Sequence, residues 1–194
     1  DRSVSRGLGD VYKRQTLNSC CSRQIDCALC PKTSQGALIY SQYPKGQHFS
    51  AEKCTQNCII FMLKGELLVN SEEYPGTTLQ TRQCILQAIG SKVELLALTD
   101  VEYLIYWFTE LPLLCEERYK EILETAHAPL TYTPLTVIPK LERLLDDLTE
   151  YFKEQPATCS KYLDIKCQEI IYILSCYYPI QQLSLIHISE PTRH

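Results

Sequence analysis

Between residues 58 and 110 the chain runs as short apolar stretches divided by turn formers. Residues 58–63 (CIIFML) are apolar, and Lys64, Gly65 and Glu66 break them. Residues 67–69 follow, and the EEYPG run from Glu72 to Gly76 breaks the chain again. Stretches 84–89 and 93–98 flank Gly90, Ser91 and Lys92, and Val101–Phe108 closes the block. Strand-length stretches at this spacing, with Gly and Pro between them, predict an antiparallel barrel or sandwich. Alternation agrees: Val93, Leu95 and Ala97 share one face and Glu94 lies on the other. Ahead of the block, 36–40 (GALIY) reads as a first strand and 43–48 (YPKGQH) as a turn.

After Pro112 the period changes from two to that of a helix. Residues 114–126 carry Cys115, Tyr119, Ile122, Leu123 and Ala126 along one stripe, with Glu116, Glu117, Lys120, Glu121 and Glu124 mostly outside it. Thr133 and Pro134 read as a helix start, with Pro139 as a restart. Leu141, Leu144, Leu145, Leu148 and Phe152 then form a stripe opposite Glu142, Arg143, Asp146, Asp147 and Glu150. Pro156 ends it, and 160–178 repeats the pattern through Leu163, Cys167, Ile170, Ile171, Leu174 and Tyr178. Amphipathic helices need a surface to cover. Part of each stripe is expected on the sheet, and the rest against a second copy of the chain.

The two ends read differently from everything between them. Reverse-complementing one permitted codon set for residues 4–15 (VSRGLGDVYKRQ) returns residues 183–194 (LSLIHISEPTRH). Gln15 as CAG gives Leu183, Lys13 as AAG gives Leu185, and so on to Val4 and His194. The ends therefore resemble one sequencing-library adapter read in both orientations, and such scars are set aside in reasoning about the fold. The expected organisation is adapter over 1–15, a Cys-rich leader over 16–35, a β-domain over 36–111, a helical region over 112–182 and adapter over 183–194.

Charge and cysteine usage narrow the partners. The 19 basic residues less Arg2, Arg6, Lys13, Arg14 and Arg193 leave 14. The 23 acidic residues less Asp1, Asp10 and Glu190 leave 20, for a net charge of −6. A fragment this acidic is not expected to grip nucleic acid or an anionic membrane by itself. No apolar run has the length of a membrane span. The 11 cysteines are odd in number and show no repeated spacing, which points to a reduced, cytoplasmic chain using cysteine as a small apolar residue.

Candidate chemistry is sparse. Cys20, Cys21, Cys27 and Cys30 could hold zinc or act as a redox dithiol, although the first two are adjacent rather than spaced. Outside the ends, the histidines are His48 and His127. There is no phosphate-cradling glycine loop, no G-x-S-x-G elbow and no H-E-x-x-H pair, so the chain is expected not to be an enzyme and to need no cofactor. Phe61, Tyr103, Tyr106 and Trp107 supply rings that could stack on a small molecule in the interior of a barrel.

The segment MLKGELLVNSEEYPGTTLQTRQCILQAIGSKVEL resembles the regulatory domain of AraC-type bacterial transcription factors. The matching features are Leu63 to Glu66 at the first hairpin, Tyr74-Pro75-Gly76 before the next strand, and the polar break from Gly90 to Lys92. YWFTELPLLCEERYKEI and the helices after it add to the likeness. The resemblance implies an α+β fold, an antiparallel cupin-like β-barrel followed by two to three amphipathic helices. It also implies a small-molecule effector, a homodimer built on the helices, and DNA binding through a helix-turn-helix region beyond residue 182. Metal cupins carry histidines where this chain has Glu66, Leu67 and Leu68, so a metal site in the barrel is not expected. A free-standing cupin, whether enzyme or binder, and a cysteine-based zinc or redox sensor are the alternatives. A cyclic-nucleotide sensor would need an arginine cassette after the Pro75-Gly76 turn, where Arg82 is the one nearby candidate and stands without a helical neighbour.

Overall fold

The computed structural model describes residues 36–108, 132–154 and 159–178. Eight strands come first: β1 Gly36–Tyr43, β2 His48–Ala51, β3 Asn57–Lys64, β4 Glu66–Ser71, β5 Thr77–Gln80, β6 Gln83–Gln87, β7 Val93–Ala97 and β8 Val101–Phe108. A two-residue strand, β9 (Leu135–Thr136), then precedes helices α1 (Pro139–Glu154) and α2 (Ser160–Tyr177). One sheet has the order β1-β8-β3-β6-β9 and the other β2-β7-β4-β5. All pairs are antiparallel. From β1 to β8, successive strands alternate between the sheets, except that β4 and β5 pair as a hairpin in one sheet, in the manner of a double Greek-key jelly roll. β1 and β2 edge separate sheets, so the strands form two facing layers rather than the closed barrel expected from the sequence.

The turns explain the register. Gly65 sits between β3 and β4 with φ +86°, and a Cβ there would lie 2.4 Å from the Asp100 carbonyl oxygen. The β3–β4 turn thus rests directly on the β7–β8 turn. Glu66 N donates to Thr99 Oγ1 at 2.9 Å, and Leu98 N donates to Glu66 O at 2.9 Å.

Strand alternation sends side chains into two cores. Cys58, Ile60 and Met62 of β3 enter the space between the sheets, with Leu67, Val69, Leu79, Ile85, Leu95 and Tyr103. Ile59 and Phe61 face the other way, joining Leu86, Leu104, Tyr106 and Phe108 under the helices. The helical stripe closes this second core from above. Leu141, Leu144, Leu145, Leu148, Cys167, Ile170, Ile171 and Leu174 are buried in it, with Phe152 and Leu163 at its margin. Each fully buried Leu or Ile contributes about 2 kcal/mol. The residues expected to serve helix packing or a dimer are thus engaged with their own sheet.

Thr133 and Pro134 do not start a helix. Leu135 and Thr136 pair instead with Cys84 and Gln83 of β6, and Val137 N donates to Arg82 O at 2.8 Å. Pro139 explains this, since the residue before a proline is driven out of the helical region. A helix begun at Pro134 could not pass Ile138. Pro139 becomes the first helical residue, and Glu142 N makes the first turn's bond to Ile138 O at 2.9 Å. Tyr178 ties the far end back: its hydroxyl donates to Thr136 O at 2.8 Å and accepts from Ile138 N at 3.1 Å. Arg82 does have a helical neighbour, because its guanidinium meets Glu142 of α1 at 2.6 Å. The helix expected over 114–126 lies outside the described residues, as do the Cys-rich leader and both end segments. Among the described residues no helix is long and apolar enough to cross a membrane.

Candidate functional site

Side chains directly opposite one another across neighbouring strands share a face, so the sheet can be read in rows. Ile39, Ile105, Ile60 and Ile85 form one row across β1, β8, β3 and β6. It points between the sheets and makes an apolar floor. Two residues further along, the row is Ala37, Trp107, Cys58 and Gln87. At the same end of the facing sheet, Ala51, Val93 and Ser71 lie opposite one another on β2, β7 and β4. Small side chains on both sheets, with one indole among them, replace the isoleucines of the layer below.

Among the described residues the sandwich is open along its β1–β2 side. Ile39 is 47% exposed and Phe49 of β2 is 49% exposed, whereas Ile60 and Ile85 in the same layer are buried. Hence Trp107 is half-buried while Cys58 and Gln87, deeper in its row, are covered.

Loops close the end over Gln87. Its Nε2 donates to Glu73 Oε2 at 2.7 Å and to Ser91 Oγ at 2.6 Å. Ser91 Oγ donates in turn to the Ala88 carbonyl. Both partners of Nε2 therefore act as acceptors, which fixes the amide's orientation. Gln87 Oε1 is left buried without a hydrogen-bond partner. Tyr74 N donates to Ser71 Oγ at 3.1 Å, its hydroxyl accepts from Leu86 N at 3.4 Å, and its ring lies 6.1 Å from that of Tyr132. Burial raises the pKa of the Tyr74 and Tyr132 hydroxyls and the Cys54 thiol, and the nearby Glu73 charge raises them further. Burial also raises that of Cys58.

The four rings singled out from the sequence do not converge. Tyr103 and Trp107 face the interior from the two ends of β8, divided by the Ile105 row. Tyr103 stacks on Tyr43 at 5.7 Å between centroids, away from Gln87. Phe61 and Tyr106 face the helices, where Tyr106 stacks on Phe108 at 5.1 Å. Gln87 went unread in the sequence, Glu73 was read only as a solvated turn carboxylate, and Ser91 only as part of a polar break. The signal for Gln87 was a single amide inside the apolar stretch 84–89.

His48 is exposed on β2, and His127 lies outside the described residues with Cys20, Cys21, Cys27 and Cys30. Among the described residues no three His, Cys, Asp or Glu side chains come together in a way that could hold a metal ion.

Solved structures include several with a partial likeness to this chain. The fold is cupin-like. A cupin superfamily protein of Desulfitobacterium hafniense DCB-2 shares 10% identity over 41% of this chain and 72% of its own, with a TM-score of 0.38. The DMSP lyase DddQ of Ruegeria pomeroyi DSS-3 shares 18% identity over 41% of each chain, with a TM-score of 0.36. A predicted oxalate decarboxylase of Thermotoga maritima shares 14% over 38% of this chain and 65% of its own, with a TM-score of 0.35. No protein-family model matches the chain, and no curated protein does. These likenesses correct one expectation. The chain was read as not an enzyme from its lack of catalytic motifs, yet structures sharing the fold include a lyase and a predicted decarboxylase.

Proposed function

We propose that the chain is the ligand-sensing part of an AraC-type transcription regulator, receiving a small molecule between the sheets and passing its signal through α1 and α2. One observation supports this most. The β1-β8-β3-β6 layer is both the wall of the interior and the seat of the helices. β3, β6 and β8 send Cys58, Gln87 and Trp107 inward, while Ile59, Leu86 and Tyr106 on the same strands carry the helical stripe. In a close-packed layer, a ligand that shifts those strands must also shift the helix contacts. A ligand preferring one helix arrangement tenfold biases it by about 1.4 kcal/mol. In this reading the helices also serve a homodimer in the cytoplasm, and DNA is bound by a region following residue 182.

The test is a small-molecule screen followed by hydrogen exchange of the α1 and α2 amides with and without the best binder. A binder is expected to change exchange in both helices. A binder that leaves them untouched overturns the sensor reading. So does an intact gene whose frame continues past residue 182 without a basic helix-turn-helix region.

A further inference from the structure

Residues 132–138 form a strap that touches both cores. Tyr132 packs at the margin of the core between the sheets, its ring 6.1 Å from that of Tyr74. Further on, Leu135 and Val137 are buried in the other core, beneath the helices. The strap then runs straight into α1 at Pro139. Its far half is held by the hydroxyl of Tyr178, whose own N–H closes the last turn of α2 on Leu174 O at 3.1 Å. One short segment thus joins the interior, the start of α1 and the end of α2.

The attachments of the strap are few. β9 pairs with β6 over two residues, whereas β3 has eight residues and is paired on both sides. Past that short ladder, two side groups hold the strap. Arg82 takes Val137 N on its carbonyl oxygen at 2.8 Å and reaches Glu142, in the first turn of α1, with its guanidinium at 2.6 Å. Tyr178 donates its hydroxyl to Thr136 O at 2.8 Å and accepts from Ile138 N at 3.1 Å. Burial raises the pKa of that hydroxyl to about 12, so it keeps the proton it donates. Pro134 and Pro139 bracket the strap. Each fixes its own φ and drives the residue ahead of it into extended backbone, which stiffens the piece between them. A stiff piece with so few attachments leaves as a unit rather than fraying residue by residue, and such units open more readily than the strands at the centre of a sheet.

We propose that residues 132–138 are a conformational relay: they lift from β6 as one body, loosening the start of α1 and the end of α2 together, and Tyr132 is the part that a change between the sheets reaches first. The relay deepens the sensor reading and rests on it for its use, but its opening belongs to the chain without any ligand.

Native-state hydrogen exchange of the full chain, resolved amide by amide by NMR at low urea, tests this. The Val137 and Ile138 amides are expected to share one opening, faster than that of Ile60 in β3 and Leu104 in β8. Tyr178→Phe keeps the ring and removes the hydroxyl. It should speed Val137 at least tenfold, although Val137 N is bonded to Arg82 and not to Tyr178. Glu142→Gln breaks the ion pair from the helix side and should speed Ile138 at least threefold, although Ile138 N is bonded to Tyr178. Tyr132→Ala should speed both amides. Should Tyr178→Phe fail to fold, the Glu142 and Tyr132 variants carry the comparison. Acceleration of Ile138 alone in Tyr178→Phe would mean a local bond and overturns the relay. Exchange of Val137 and Ile138 at the rates of Ile60 and Leu104 overturns it too, because the strap would then open only when the whole chain unfolds. So does a Tyr132→Ala variant in which neither amide changes. A ligand enters none of these measurements, so their failure leaves the sensor reading standing, and a failed ligand screen leaves the relay standing.

Discussion

Replacing Gly65 with Ala tests how the two turns at the lower end hold the sheets in register. Gly46 supplies the reference. Its φ is +83° and nothing lies within 4 Å of an added Cβ, so Gly46→Ala bears only the penalty of a left-handed conformation, about 1–2 kcal/mol. Gly65 has nearly the same φ, +86°, but its Cβ would come 2.4 Å from Asp100 O, 2.6 Å from Thr99 Oγ1 and 3.1 Å from Val101 Cγ1. Carbon and oxygen rest comfortably at about 3.3 Å. The turns must therefore part by nearly 1 Å, straining the Glu66 N–Thr99 Oγ1 and Leu98 N–Glu66 O bonds, each 2.9 Å long. Overpacking of this kind costs about 1–3 kcal/mol and a lost hydrogen bond about 1 more. The expected loss is about 3–6 kcal/mol for Gly65→Ala against about 1–2 for Gly46→Ala. Urea unfolding followed by circular dichroism and Trp107 emission measures both. A Gly65 variant as stable as the Gly46 variant, to within about 0.5 kcal/mol, would refute the turn-on-turn packing.

Three further outcomes follow from the same geometry. Leu148→Ala, at a site with no exposure, should cost about 2–5 kcal/mol in urea unfolding, and a loss below about 1 would mean that α1 is not seated on the sheet. Glu102 accepts from Lys153 Nζ at 2.8 Å and from the Tyr40 hydroxyl at 2.7 Å, and these bonds hold its carboxyl below the usual value. A lowered native pKa gives stability that is present above about pH 4.3 and disappears as pH falls through the native value. Melting temperatures from pH 7 downward should accordingly fall less steeply for Glu102→Gln than for the parent, and parallel curves would remove Glu102 from the acid response. Finally, burial raises the thiols of Cys84 and Cys167 to about 12, while Cys176 is exposed. Iodoacetamide at pH 8 with peptide mapping should label Cys176 in the native protein and reach Cys84 and Cys167 only after unfolding. Equal labelling of all three would contradict the burial.

Strand positions were legible in the chain because each buried stretch ends at residues with a turn preference, Gly65, Pro75-Gly76 and Gly90 among them. β2 and β5 escaped notice. Each has four residues, three of those in β2 are exposed, and so neither shows an apolar run. The α1 stripe was legible down to its individual leucines, because one face of that helix meets water. What the stripe meets was not, and nothing in Leu141 or Leu148 says whether its partner is a sheet of its own chain or a second copy.

The local sequence determined which segments extend, which coil and where they turn, since those choices rest on spacing and on backbone preferences within a few residues. Only the tertiary structure decided which way β8 looks. That strand is covered on both faces, so apart from Glu102 near its start both its residue sets are apolar and alternation carries no polar side to mark the outside. Pairing with β3 placed Trp107 beside Cys58 and Gln87, and turned Tyr106 and Phe61 toward the helices. The candidate site depends on that choice, because residues from distant parts of the chain become neighbours only when the sheets close over them.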